Sequence, residues 1–227
     1  KKRITLEMAG NIERLTGIPS NFIISVENVR AIEEELVKEY GSKENIYKLL
    51  KEEYALNDLK KSKWINFKDE TNEYQLCIDI LDFLKVKNFV AHNNLKDYVL
   101  FKKTGEDYNK LALWIARCDK LSTEQIVEEY NSSRFNELIS KLKEYSYKEL
   151  YNLEEIQKLL NSYGIYFVCE KALPGTKVRG CFKVKGKTPA IYITSNYAAK
   201  DSLFFEIYHE LGHCKSDYNM AQNKTII

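Results

Sequence analysis

Gly164-Ile-Tyr-Phe-Val-Cys169 is the stretch at which this chain changes character. Ile165, Tyr166, Phe167 and Val168 are the β-branched and aromatic types that suit a pleated, half-buried strand, and a glycine stands immediately before them. Downstream, a turn at Pro174-Gly175 leads to two more runs of this kind, at 180–184 and 190–194. Lys185-Gly-Lys-Thr188 joins those two closely enough to read as a hairpin, so they are expected to lie antiparallel. Upstream, from residue 4 to about 160, apolar residues recur at intervals of three and four, the helical period. The expected class is α+β, with a mainly helical N-terminal part followed by a small sheet and one more helix.

Only three prolines and nine glycines punctuate the chain. Gly17-Ile-Pro-Ser20 should end a first helix and offer Ser20 as the N-cap of a second, and Gly41-Ser42 should end that one and cap a third. Further helices are expected over 73–86, 107–118, 122–130, 135–145 and 152–163, and 97–101 could be a short strand. There is no internal repeat and no low-complexity tract.

The composition narrows the function classes. Lys and Arg number 35 against 33 for Asp and Glu, so a formal charge of +2 gives no long-range attraction to a polyanion. No apolar run is long enough to span a bilayer, and Lys1-Lys2-Arg3 is not followed by an apolar signal core, so no membrane partner is expected. Five cysteines (Cys77, Cys118, Cys169, Cys181 and Cys214) form no C-x-x-C pair and an odd count completes no disulfide framework. Free thiols in a reducing cytoplasm fit best, although Cys169 and Cys181, in neighbouring strands, could be close.

The chemistry concentrates in Leu203-Phe-Phe-Glu-Ile-Tyr-His-Glu-Leu-Gly-His-Cys214. His209 and His213 stand four residues apart, one helical turn, so two imidazoles can reach one metal ion. Zinc takes nitrogen ligands in a tetrahedral set and leaves one position open for chemistry, and Glu210 between the histidines is placed to act as general base. At 100° per residue, Phe204, Ile207, Leu211 and Cys214 fall on one narrow stripe, the buried face. Both histidines lie off it, with Glu206, Glu210 and Asp217 around them, so they are not core histidines of this helix. Two solvated histidines on a polar face are the bland alternative.

A third ligand is needed. On an unbroken helix Asp217 sits about 12 Å of rise from His209, too far to share an ion, and it serves only if the helix ends after His213. His92 reads better as a surface loop residue than as a ligand. The preferred third ligand is an acidic residue beyond Ile227.

The segment from Gly164 to His213 resembles the ImmA/IrrE family of bacterial metallopeptidases. The matching runs are Gly164-Ile-Tyr-Phe-Val, Val178-Arg-Gly-Cys-Phe, Pro189-Ala-Ile-Tyr-Ile-Thr and Phe204-Phe-Glu-Ile-Tyr-His-Glu-Leu-Gly-His. Ile12-Glu-Arg-Leu-Thr-Gly-Ile-Pro-Ser-Asn-Phe is similar to the end of a HigA-like helix-turn-helix, and Leu81-Asp-Phe-Leu-Lys-Val and Leu113-Trp-Ile-Ala-Arg to the helical middle of such longer members. The resemblance implies a helix-turn-helix remnant with connecting helices over 1–60, a helical scaffold over 61–150, and a zincin-like domain over 151–227 that continues further. It implies a Zn2+ enzyme with His209 and His213 as ligands and Glu210 as base, cleaving a repressor or similar regulatory protein. The alternative is a HigA-like regulator or antitoxin whose metal domain is a sensor or scaffold, reaching DNA through an upstream helix-turn-helix. A homodimer is open to either.

Ala190–Thr194, just ahead of the metal helix, could hold an extended peptide by strand addition if it is a sheet edge.

Overall fold

The computed structural model describes residues 3–95, 108–147, 152–197 and 199–222. It divides into two units, residues 1–56 with 65–80, and residues 57–64 with 81–227. Among the described residues no helix is long and apolar enough to cross a membrane.

The first unit contains α1 (Leu6–Thr16), α2 (Ser20–Tyr40), α3 (Lys43–Glu53) and most of α5 (Glu73–Leu84), while α4 (Leu56–Ser62) belongs to the second but for its first residue. Thr5 caps α1 by accepting the Met8 N–H at 3.2 Å, and Gly17, at φ 73°, ends it by donating to Glu13 O. Ser20 does not cap α2 as expected, because the helix starts one residue earlier. Pro19, at φ −57°, takes the N-cap position, and the Ser20 N–H is met by the Glu13 carboxylate at 3.1 Å. Ser42 does cap α3, accepting the Asn45 N–H.

The second unit is built round a three-stranded sheet of β1 (Tyr166–Glu170), β2 (Gly180–Lys185) and β3 (Thr188–Thr194). The order is β1-β3-β2, with β3 parallel to β1 and antiparallel to β2. The expected hairpin forms through Gly186 and Lys187, Gly186 supplying the positive φ of 64°. β3 is therefore the central strand and not an edge, which removes Ala190–Thr194 as a peptide-binding edge. It is buried on both faces because helices cover both. Ile191 and Ile193 join Phe167, Leu160 of α9 (Leu153–Ser162), Leu142 of α8 (Phe135–Tyr147) and Leu203, Ile207 and Leu211 of α10 (Lys200–Gln222) in one core. Tyr192 points the other way, its ring edge-on to Trp114 of α7 (Tyr108–Ser122).

Cys169 and Cys181 turn out to flank β3, aligned with Ile193 and Tyr192 respectively, hence on opposite faces. All five cysteines are free.

The expected helix over 122–130 is absent. After α7 the chain turns and runs along β1, where the Gln125 side chain donates to Phe167 O at 2.7 Å and accepts the Phe167 N–H at 3.2 Å. Tertiary pairing to a strand edge overrides a local helical pattern here. Gly164 permits the approach: a Cβ there would lie 2.3 Å from Tyr130 Cα, and its φ of 80° closes α9. The strand suggested at 97–101 lies outside the described residues.

Candidate metal centre

α10 packs across β2 and β3. Phe204, Ile207, Leu211 and Cys214 are buried along one stripe, as the helical projection requires. His209 is exposed and His213 half-buried, with ring centroids 4.9 Å apart and planes at 85°. Two imidazoles thus stand side by side on the helix flank. The Phe205 ring lies nearly parallel to His209, centroids 6.4 Å apart.

The two carboxylates do not share that exposed flank. Glu206 and Glu210 are 8% and 5% exposed, because the start of β2 passes over this side of the helix. Glu206 is paired with Arg179 at 3.3 Å. Glu210 has no hydrogen-bond or ion-pair partner among the described residues. Burial raises its carboxyl from 4.5 to about 7, with nearby His213 pulling the other way and Glu206 adding to the rise.

Asp217 has a definite place, though not as a ligand. α10 runs unbroken to Gln222, so Asp217 stays a turn beyond His213, and its Oδ2 lies 2.7 Å from His213 Nδ1. That hydrogen bond holds the Asp217 carboxyl below its ordinary value, so the group is ionised and can only accept. His213 Nδ1 is then the protonated nitrogen and, in the neutral ring, Nε2 carries the lone pair that a metal requires.

His92, read from the sequence as a surface residue, is instead 2% exposed in α6 (Phe89–Leu95), its ring 5.1 Å from that of Tyr108. Three residues after the buried Phe89, one helical turn on, this position faces inward, which a lone histidine without motif spacing does not announce. Among the described residues no three His, Cys, Asp or Glu side chains come together as a ligand set. What is present fits zinc as a partial set: two neighbouring imidazoles, one with its tautomer fixed by a carboxylate, and a buried carboxylate at the position between them in the chain.

Three contributions escaped the sequence reading, which weighed Asp217 only as a ligand and not as a partner of His213. Asp217 carried a signal, since i and i+4 from His213 is one helix face. Gly180 carried a weaker one, because a glycine in a strand marks close approach of something else. Arg179 carried none. No family model, curated protein or solved structure matches this chain.

Proposed function

We propose that this chain is a zinc-dependent endopeptidase acting on a protein, with His209 and His213 as ligands and Glu210 as general base. The observation that carries the reading is the Glu210 carboxylate, buried, without a partner among the described residues, and one residue from an imidazole pair. A carboxyl that is 5% exposed and raised by burial is the kind of perturbed group that concentrates where chemistry uses it.

Zinc, when bound, supplies a Lewis acid that polarises both the scissile carbonyl and the attacking water. Glu210 takes the proton that this water gives up as its oxygen attacks the carbonyl carbon. The same carboxyl then hands that proton to the departing amine nitrogen as the C–N bond breaks. A carboxyl raised to about 7 suits both halves of the transfer near neutral pH. Asp217 fixes the His213 ring throughout.

β2 supports a peptide substrate. It is an edge strand among the described residues, and Thr194 N–H donates to Arg179 O at 2.9 Å. Antiparallel alternation from that pair leaves the backbone N–H and C=O groups of Gly180, Phe182 and Val184 facing outward, where an extended chain can add a strand. Gly180 is also the residue against Glu210, so a peptide held there runs close to the base. The resemblance to the ImmA/IrrE family adds a regulatory protein, such as a repressor, as substrate, an acidic third ligand after Ile227, and a cytoplasmic setting with which five free thiols agree.

The regulator reading places its DNA contact on a helix-turn-helix ahead of α1; α1 and α2 themselves carry Glu7, Glu13, Glu27, Glu33, Glu34, Glu35 and Glu39 against Arg14, Arg30 and Lys38, so they add no basic surface to that contact.

The test is Glu210→Gln in the full-length protein, assayed for bound zinc and for cleavage of a panel of purified DNA-binding repressors. Zinc content should stay at the wild-type value while cleavage falls on the order of 10²-fold or more. Undiminished cleavage removes Glu210 from the mechanism.

A further inference from the structure

α10 turns two buried carboxylates, one helical turn apart, toward the same two residues of the chain. Glu206 meets Arg179, whose guanidinium lies 3.3 Å away. Glu210 meets Gly180, which offers it no partner and only the space left by a missing side chain. A Cβ built on Gly180 would stand 2.5 Å from Glu210 Oε1, 2.9 Å from its Cγ and 3.0 Å from its Cδ. No real Cβ tolerates such distances. The backbone of Gly180 is not in the left-handed region, so any residue could adopt it; the three atoms nearest the missing Cβ all belong to the Glu210 side chain.

From this we infer that Gly180 is a positioning residue for the proposed peptidase. Its lack of a side chain lets Glu210 occupy one buried rotamer beside His209 and His213, while the adjacent Arg179 engages the competing carboxylate of Glu206. Two consecutive residues thereby sort two chemically identical groups. The carboxylate given a cation is held as a structural ion pair, and the one given only room keeps its oxygens available. The inference deepens the peptidase reading and rests on it for the role of Glu210, but the steric pairing of Gly180 with Glu210 stands on geometry alone.

A residue larger than glycine at position 180 has one easy route to accommodation. The clashing atoms belong to a flexible side chain and not to backbone, so Glu210 moves and the sheet does not. Gly180→Ala should therefore leave the fold and the imidazole pair intact and swing the carboxylate away.

The experiment is a cycle of four full-length proteins: wild type, Gly180→Ala, Glu210→Ala and the double variant. Two readouts are taken. The first is the melting temperature of the metal-free proteins, which needs no catalysis. Gly180→Ala should lower it by about 2–4 °C when Glu210 is present and leave it unchanged in the Glu210→Ala background, where the space is vacated. An equal drop in both backgrounds overturns the pairing. The second is the kinetics of the zinc-loaded proteins, on which Gly180→Ala should lower kcat about 10- to 100-fold with KM and zinc content unchanged. An unaltered kcat overturns the positioning role while leaving the peptidase reading in place. Thermal coupling in a wild-type protein that cleaves nothing has the opposite meaning: the pairing holds and the peptidase reading falls.

Discussion

The central strand separates two polar clusters that have been treated in opposite ways. On the α7 side the groups around Asp119 are paired with one another. Asp119 Oδ1 accepts the Tyr192 hydroxyl at 2.6 Å and Oδ2 accepts Lys183 Nζ at 2.8 Å, while Lys185 Nζ donates to Ser122 Oγ at 2.6 Å and to Asp119 O at 3.2 Å. On the α10 side Glu210 is more deeply buried than Asp119, Lys183 or Lys185 and has no partner among the described residues. Burial pushes the Tyr192 hydroxyl up and the Lys185 amine down, yet their hydrogen bonds lock them in place. The Glu210 carboxyl is raised with nothing to lock it. A saturated cluster holds the sheet to its helix, and on the other face of the same sheet a carboxyl is left open for the proposed chemistry.

That contrast fails if the saturated side turns out to be dispensable. Asp119→Ala removes the acceptor of both Tyr192 and Lys183 and should cost about 4 kcal/mol, read from urea denaturation. The zinc content and kcat of whatever remains folded should match wild type. A loss of activity at full stability would mean that the two sides of the sheet are not separate.

The unsaturated side should respond with the opposite sign. Below pH 4.5 Glu210 is protonated both folded and unfolded and costs nothing. Between 4.5 and about 7 the unfolded chain loses that proton while the folded chain keeps it, so stability falls as pH rises, and above about 7 the loss is complete. From the size of the shift the loss is about 3 kcal/mol in the metal-free protein. Glu210→Gln should therefore stabilise that protein at pH 8 and change nothing at pH 4. Equal stability of the two at both pH values would show that the carboxyl is not held in a dry site.

The sequence made the α10 side legible and the α7 side nearly silent. Period and spacing give helices, strands, the hairpin and the stripe of Phe204, Ile207, Leu211 and Cys214, because each depends on residues close in the chain. His209, Glu210 and His213 are legible for the same reason. Asp119, Tyr192 and Lys183 are each separated by long loops or strands and have no motif to join them. The helix expected over 122–130 is lost to the pairing of Gln125 with Phe167, 42 residues away. Burial of Glu210 is a tertiary fact of the same kind, since it depends on β2 crossing the helix at Gly180.

The smallest effect should come at Asp217, which belongs to neither cluster and touches the proposed centre through one hydrogen bond. If its carboxylate holds Nδ1–H of His213, Asp217→Asn keeps the size and removes the charge. An amide can still accept that hydrogen bond, but it no longer draws the proton to Nδ1 or strengthens Nε2 as a donor to metal. Zinc affinity should fall about 10-fold, toward the low end of the range for such outer partners, measured by competition with a chelating dye. Asp217→Ala should fall further, to about 100-fold, since the ring is then free to turn. Because Asp217 is part-exposed and its pairing with His213 lies at the surface of the helix, both variants should melt within a few degrees of wild type. Unchanged affinity in the alanine variant would detach Asp217 from the site, and with it the argument that His213 presents Nε2 to a metal.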